Sequence, residues 1–89
     1  MLRVSLVAED GSSVTLKLEG RIAGEWVPVL ETECRRALTA RRRIRLDFAG
    51  VTYVDATGAR MLGGLRSGDV EMLRCPPLIQ QLLDRAVGS

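Results

Sequence analysis

The apolar positions change period several times along the chain, and each change marks an element. Leu2, Val4, Leu6 and Ala8 alternate with polar or small residues, the period-two signature of a strand. Glu9-Asp10-Gly11-Ser12 then reads as a turn, with Asp-Gly supplying the positive-φ position that a hairpin needs. Val14, Leu16 and Leu18 alternate with Thr15, Lys17 and Glu19, predicting an antiparallel partner strand with one polar face that ends at Gly20. From Gly24 the period lengthens. Trp26, Leu30, Cys34, Ala37 and Leu38 recur every three or four residues, the stripe of an amphipathic helix closing near Thr39 to Arg41. Pro28 is tolerated in its first turn, where backbone donors have no partners anyway. Glu25, Glu31 and Glu33 precede Arg35 and Arg36, an order that suits the helix dipole.

Ile44, Leu46 and Phe48 alternate with Arg45 and Asp47 as a third strand, and Gly50 with Val51 to Val54 leads out of it. A second helix begins close to Asp55 and carries Ala59, Met61, Leu62 and Leu65, with Gly63, Gly64 and Gly68 loosening its end. Val70 to Arg74 reads as a fourth strand. Cys75-Pro76-Pro77 opens a last helix whose stripe is Leu78, Ile79, Leu82, Leu83, Ala86 and Val87. The order β-β-α-β-α-β-α predicts an α/β fold: one domain over residues 1–89, built on a mixed four-stranded sheet with packed helices.

Composition narrows the function classes. The chain has 89 residues, a net charge of +2 and no histidine, so the usual general base and the usual zinc ligand are both missing. Only Trp26, Phe48 and Tyr53 are aromatic, which predicts an aliphatic core. No apolar run approaches the length of a membrane span, and the N-terminus alternates like a strand rather than forming the hydrophobic block of a signal peptide. The expected location is the cytoplasm. Cys34 and Cys75 lack metal-ligand spacing and read as reduced small hydrophobes. Twelve of the thirteen basic residues are arginine, and six of them lie between Arg35 and Arg45. A nucleic-acid patch is one reading of that cluster, but no aromatic residue is interleaved to stack on bases. The favoured reading is structural: Arg35 and Arg36 near a helix C-terminus, and Arg41 to Arg43 in the turn after it.

The chemically suggestive junction is Val54-Asp55-Ala56-Thr57-Gly58-Ala59, because functional groups in such sheets gather where a strand ends and a helix begins. Asp55 suits the N-cap, with its carboxylate accepting from free amides of the first turn. Thr57 then falls within that turn, and Gly58 removes side-chain bulk beside it. A phosphate on that hydroxyl would meet the positive end of the helix dipole and, close by, the opposing charge of Asp55. From physical chemistry alone, Asp-x-Thr at a helix start is an ordinary capping sequence.

The stretch Leu46 to Leu65, LDFAGVTYVDATGARMLGGL, resembles the signature of STAS domains, the family of bacterial anti-sigma factor antagonists. Asp47, Val51, Tyr53, Val54, Asp55, Thr57, Gly58 and Leu62 fall on that signature, and Leu16 to Ile22 is similar to the family's second strand with its terminal glycine. The resemblance implies a non-enzymatic binding module without cofactor. It places the phosphoacceptor at Thr57 and a partner-binding surface at Asp55, Ala56, Thr57, Gly58, Arg60 and Met61. The implied partner is an anti-sigma factor that is itself a serine/threonine kinase. By the same resemblance, the unmodified domain would bind that kinase and free a sigma factor, and the phosphorylated domain would not. Position 56 is Ala where the antagonists usually carry Ser, and only about a dozen residues separate Thr57 from the fourth strand, room for roughly two helical turns plus a loop. These departures make the family's other role a credible alternative to the antagonist: an accessory subunit of a lipid-transport ABC system, with the same turn docked on an ATPase and Thr57 as a contact in place of a switch. An enzyme reading rests on Asp47 and Asp55 converging as a carboxylate pair on a magnesium ion, and no lysine, histidine or phosphate loop supports it. Trp26 reads as a core or edge-covering residue. Tyr53 fits either burial or the surface that carries Thr57.

Overall fold

The computed structural model describes residues 1–65 and 69–88. Its elements are β1 (Leu2–Glu9), β2 (Ser13–Ile22), α1 (Trp26–Thr39), β3 (Arg43–Val54), α2 (Ala56–Leu65), β4 (Val70–Leu73) and α3 (Pro77–Gly88), in the predicted order. The sheet runs β1-β2-β3-β4, antiparallel between β1 and β2 and parallel for the other two pairs. Both crossovers step the same way across the sheet, so with the usual right-handed connection α1 and α2 cover one face. Leu18, Ile22, Leu30, Cys34, Ile44, Leu46, Phe48, Leu62 and Leu83 are fully buried between sheet and helices. The alternate strand positions, Thr15, Lys17, Arg45 and Glu71 among them, form a polar outer face. Trp26 is partly buried against the core, as expected.

The hairpin is held by a local clamp. One oxygen of Asp10 accepts from the amides of Ser12 and Ser13, both at 2.7 Å, and from the Ser12 hydroxyl at 3.0 Å. These bonds favour the ionised form, the Ser12 amide most, and hold the Asp10 carboxyl down at about 2.

Several boundaries differ from those the pattern predicts, each for a local reason. Gly20 does not end β2. It turns at φ +99°, pressed against the Met1 carbonyl, and the strand resumes to Ile22 beside β3. β3 is one strand of twelve residues because two register slips, between Lys17 and Glu19 and between Gly20 and Arg21, absorb its extra residues. Such bulges break the period of two that would reveal the strand in sequence. β4 stops at Leu73, and Arg74 leaves it at φ +52° to reach the buried Asp47 carboxylate at 3.6 Å. In α1, Glu31 and Glu33 lie past the first turn and pair with Arg35 (3.0 Å) and Arg36 (3.8 Å), so they serve neighbours on the helix surface more than the dipole.

Four of the six arginines between Arg35 and Arg45 pair with carboxylates of the fold. Besides the pairs of Arg35 and Arg36, Arg42 meets Glu9 at 2.7 Å and Arg45 meets Glu71 at 3.4 Å. Arg41 closes α1 at φ +59°, donating its amide to Leu38 while the Arg42 amide donates to Ala37. Cys34 and Cys75 remain thiols. Burial, with Glu33 and Glu31 nearby, pushes the Cys34 thiol up to about 11, out of the reactive range.

Helix α2 runs through Gly63 and Gly64, pinned by the buried Leu62 and Leu65; Gly68, also expected to loosen it, lies outside the described residues. Nothing stands within 4 Å of where a Gly64 Cβ would sit, and the position is exposed. Gly64→Ala is therefore expected to stabilise the domain by about 0.5–1 kcal/mol, read as a higher urea midpoint at unchanged slope. An unchanged or lower midpoint would show that α2 gains nothing from helix propensity there. In α3, Ile79 and Leu83 are buried while Leu78 and Leu82 face outward; Ala86 and Val87, expected to extend the stripe, have no described side chains.

Candidate functional site

The site lies where β2 and β3, parallel neighbours, both end. Asp55 follows β3, and its amide donates to the Ile22 carbonyl at the end of β2 (3.1 Å). Its carboxylate then joins two crossover segments. Oδ1 accepts from the Gly58 amide at 2.6 Å, the N-cap bond of α2, and Oδ2 accepts from the Gly24 amide at 3.0 Å, in the loop before α1. The Ala59 amide donates to the Asp55 carbonyl at 2.8 Å and begins the helical ladder. The Gly58 amide, then Gly24 and to a smaller degree Thr57, hold the Asp55 carboxyl below its ordinary value, with partial desolvation opposing them.

Gly58 is buried because α2 starts almost in contact with β2. A Cβ there would stand 2.7 Å from the Ile22 carbonyl oxygen and 3.1 Å from the Ile22 Cγ2. Only glycine lets the helix start this close. Asp55 and Gly58 thus act from inside, as the fastening of the turn. Ala56, Thr57 and Arg60 are exposed on its outer side, and Met61 is half-buried against the core. Thr57 and Arg60 are three residues apart on one helix, so they share a face.

Asp47 does not join this group. It lies within β3 opposite Lys17, accepts from the Ala49 amide at 3.0 Å and pairs with Arg74. The convergence with Asp55 that a magnesium site would require is absent, since each carboxylate is committed to different partners. Among the described residues no group of three or more His, Cys, Asp or Glu side chains is placed to hold a metal ion.

Two features of the site escape the sequence reading. Gly24 reads there only as a helix boundary, yet its amide is one of the two that fix Asp55. Arg21 is the other: it is the cross-strand partner of Tyr53 beside the turn, and Tyr53, for which the sequence offers either burial or the Thr57 surface, is 51% exposed. The available signal was topological: two parallel strands ending side by side place both following loops on one edge.

Residues 5–87 match a family model described as "Mlab, STAS domain". A solved structure of the anti-sigma factor antagonist SpoIIAA in its unphosphorylated form is similar to this fold, with a TM-score of 0.73 at 19% sequence identity. That match covers 92% of this chain and 82% of SpoIIAA. No curated protein matches the chain at a significant level. Among the described residues no helix is long and apolar enough to cross a membrane.

Proposed function

The chain belongs to the STAS domain family, and from that premise we propose that it is a non-enzymatic binding module of the anti-sigma factor antagonist kind, switched at Thr57. The observation that carries this reading is the exposure of Thr57 in the first turn of α2, between a fastened Asp55 and a buried Gly58. The backbone beneath the hydroxyl is held by bonds that do not involve it. A phosphate there would change the outer surface while leaving the fold intact. It would also stand beside the Asp55 carboxylate and outside the first turn, adding negative charge to what a partner meets.

The partner of this reading is an anti-sigma factor with serine/threonine kinase activity, and the place of action is the cytoplasm. Incubation with such a kinase and ATP is expected to add one phosphate, seen by intact mass and abolished in Thr57→Ala. Thr57→Glu is expected to weaken the unphosphorylated complex by about ten-fold through like-charge repulsion. No phosphate on Thr57 together with no complex would remove this reading.

A second reading is favoured by Ala56, exposed where the antagonists carry serine, and by the short span of chain between Thr57 and Val70, where β4 begins. In it the domain is an accessory subunit of a lipid-transport ABC system, and the turn packs on an ATPase with Thr57 as a contact. An ABC ATPase recovered with the tagged chain, insensitive to kinase treatment, supports it; recovery of a kinase-like partner alone argues against it.

A further inference from the structure

The surface beside Thr57 continues onto the open face of the sheet. Arg21 and Tyr53 are direct partners across β2 and β3, and the next pair, Ile22 and Val54, is buried. Alternation therefore turns Arg21 and Tyr53 outward. The register slip between Gly20 and Arg21 leaves Thr52 as the extra residue of a bulge, its hydroxyl donating to the Gly20 carbonyl at 3.2 Å. Bulges re-aim side chains, and here Thr52 and Tyr53 are both exposed in succession. With Arg21 they bound an open hollow of about 320 Å³. A second hollow, of about 410 Å³, lies on the other side of Arg21 against Gly24, Glu25 and Trp26.

Arg21 differs from the arginines that the fold employs. Arg35, Arg36, Arg42, Arg45 and Arg74 each pair with a carboxylate of the domain. Among the described residues, Arg21 forms no such pair, and neither do Arg3, Arg41, Arg43, Arg60 and Arg85; what sets Arg21 apart from these is its exposed position directly opposite the exposed Tyr53. Arginine and tyrosine are the residue types most often found as binding anchors, and a guanidinium fork matches a carboxylate geometrically. A polyanion fits the place poorly. Glu19 shares the outer face two positions along β2, Glu25 lines the adjoining hollow, and the Asp55 carboxylate holds the turn.

We propose that Arg21, flanked by Tyr53 and Thr52, is a second anchor of the docking surface that takes the carboxylate of a glutamate or aspartate side chain on the protein partner. The proposal rests on the partner-binding reading for the partner's identity, but its chemistry can be tested without one. The isotope-labelled chain is titrated with a capped Gly-Gly-Glu-Gly-Gly peptide, which carries a single carboxylate, followed by NMR, with capped Gly-Gly-Gln-Gly-Gly as the neutral control. Saturable shifts confined to Arg21, Thr52 and Tyr53 are expected, with affinity about ten-fold weaker in Arg21→Gln, consistent with one charge-assisted contact. Arg21 is exposed, so this variant keeps its spectrum elsewhere. No saturable shift, shifts equal in Arg21→Gln, or tighter binding of a thymidine oligonucleotide at the same residues would each overturn the proposal. In the kinase or ATPase complex, Arg21→Gln is expected to cost a similar factor. An unaffected complex removes this anchor while leaving the partner-binding reading standing. Peptide binding at Arg21 with no complex from the wild-type chain does the reverse.

Discussion

Gly58→Ala is expected to destabilise the domain by about 2 kcal/mol, lowering Tm by roughly 10 °C for a chain of this size. The new methyl would stand 2.7 Å from the Ile22 carbonyl oxygen, a backbone atom that is itself held by the Asp55 amide. Neither side can yield cheaply, because Ile22 is fully buried and paired with Val54 in the sheet. Helix propensity works in the opposite direction and returns up to about 1 kcal/mol, so the steric cost has to exceed the observed loss. Gly64→Ala provides the internal control: the same substitution in the same helix, with open space in place of a carbonyl, changes sign. Thermal and urea denaturation of the two variants measure the contrast. A Gly58→Ala protein as stable as the parent would mean that α2 shifts without cost, and that the closeness of its start to β2 is unimportant. If the destabilisation is found, partner binding should weaken with it, since Thr57 rides on the displaced turn.

Where side chains alternate cleanly, the fold is legible in the sequence. Leu16, Leu18, Ile44 and Leu46 announce their strands because each has polar neighbours that face water on the outer side of the sheet. The element order follows from such stretches, and so does the N-cap at Asp55, because a carboxylate placed before a helical stripe has an obvious use. The second half of β3 is not legible in this way. Two register slips place Phe48, Val51 and Val54 in the core at spacings of three, with Thr52 and Tyr53 exposed in succession, a pattern that resembles a loop. The continuation of β2 past Gly20 is hidden for a related reason. Glycine commonly ends strands, and only the close approach of the Met1 carbonyl explains one at φ +99° inside a strand. In the candidate site, the turn from Asp55 to Gly58 is local in sequence, so its capped helix start is legible there. Gly24 and Arg21 come to it through the parallel pairing of β2 and β3, a long-range relation that no spacing along the chain expresses, and the same pairing turns Tyr53 outward. The Gly24 bond to Asp55 spans 31 residues.

That bond makes Asp55 more than a cap, and its removal is the second large effect expected. Asp55→Ala should cost about 2 kcal/mol: about 1 for the lost N-cap and about 1 for the bond to Gly24. Asp55→Asn separates the two. Its carboxamide oxygen can still cap Gly58, but its NH₂ group would face the Gly24 amide donor to donor, so roughly half of the loss should remain. The same substitution fixes the sign of a pH dependence. The carboxyl of Asp55 is held below its ordinary 3.8 in the folded state, chiefly by the Gly58 and Gly24 amides. Its stabilising contribution is therefore complete above the unfolded value near pH 4 and is lost as the pH falls through the lower, folded value. The wild-type chain should lose more stability than Asp55→Asn as the pH is lowered from 5 toward 2. Asp10, also held low, titrates in both proteins and cancels in the difference. Urea unfolding of the pair across that range checks it, and parallel curves would show that Asp55 carries no charge-dependent role. At neutral pH the consequence passes to function: without the tie to Gly24, the loop before α1 and the start of α2 are no longer held to each other. Binding should then fall in Asp55→Asn even where the fold persists, because Thr57 sits on the start of α2, one of the two segments that this carboxylate joins.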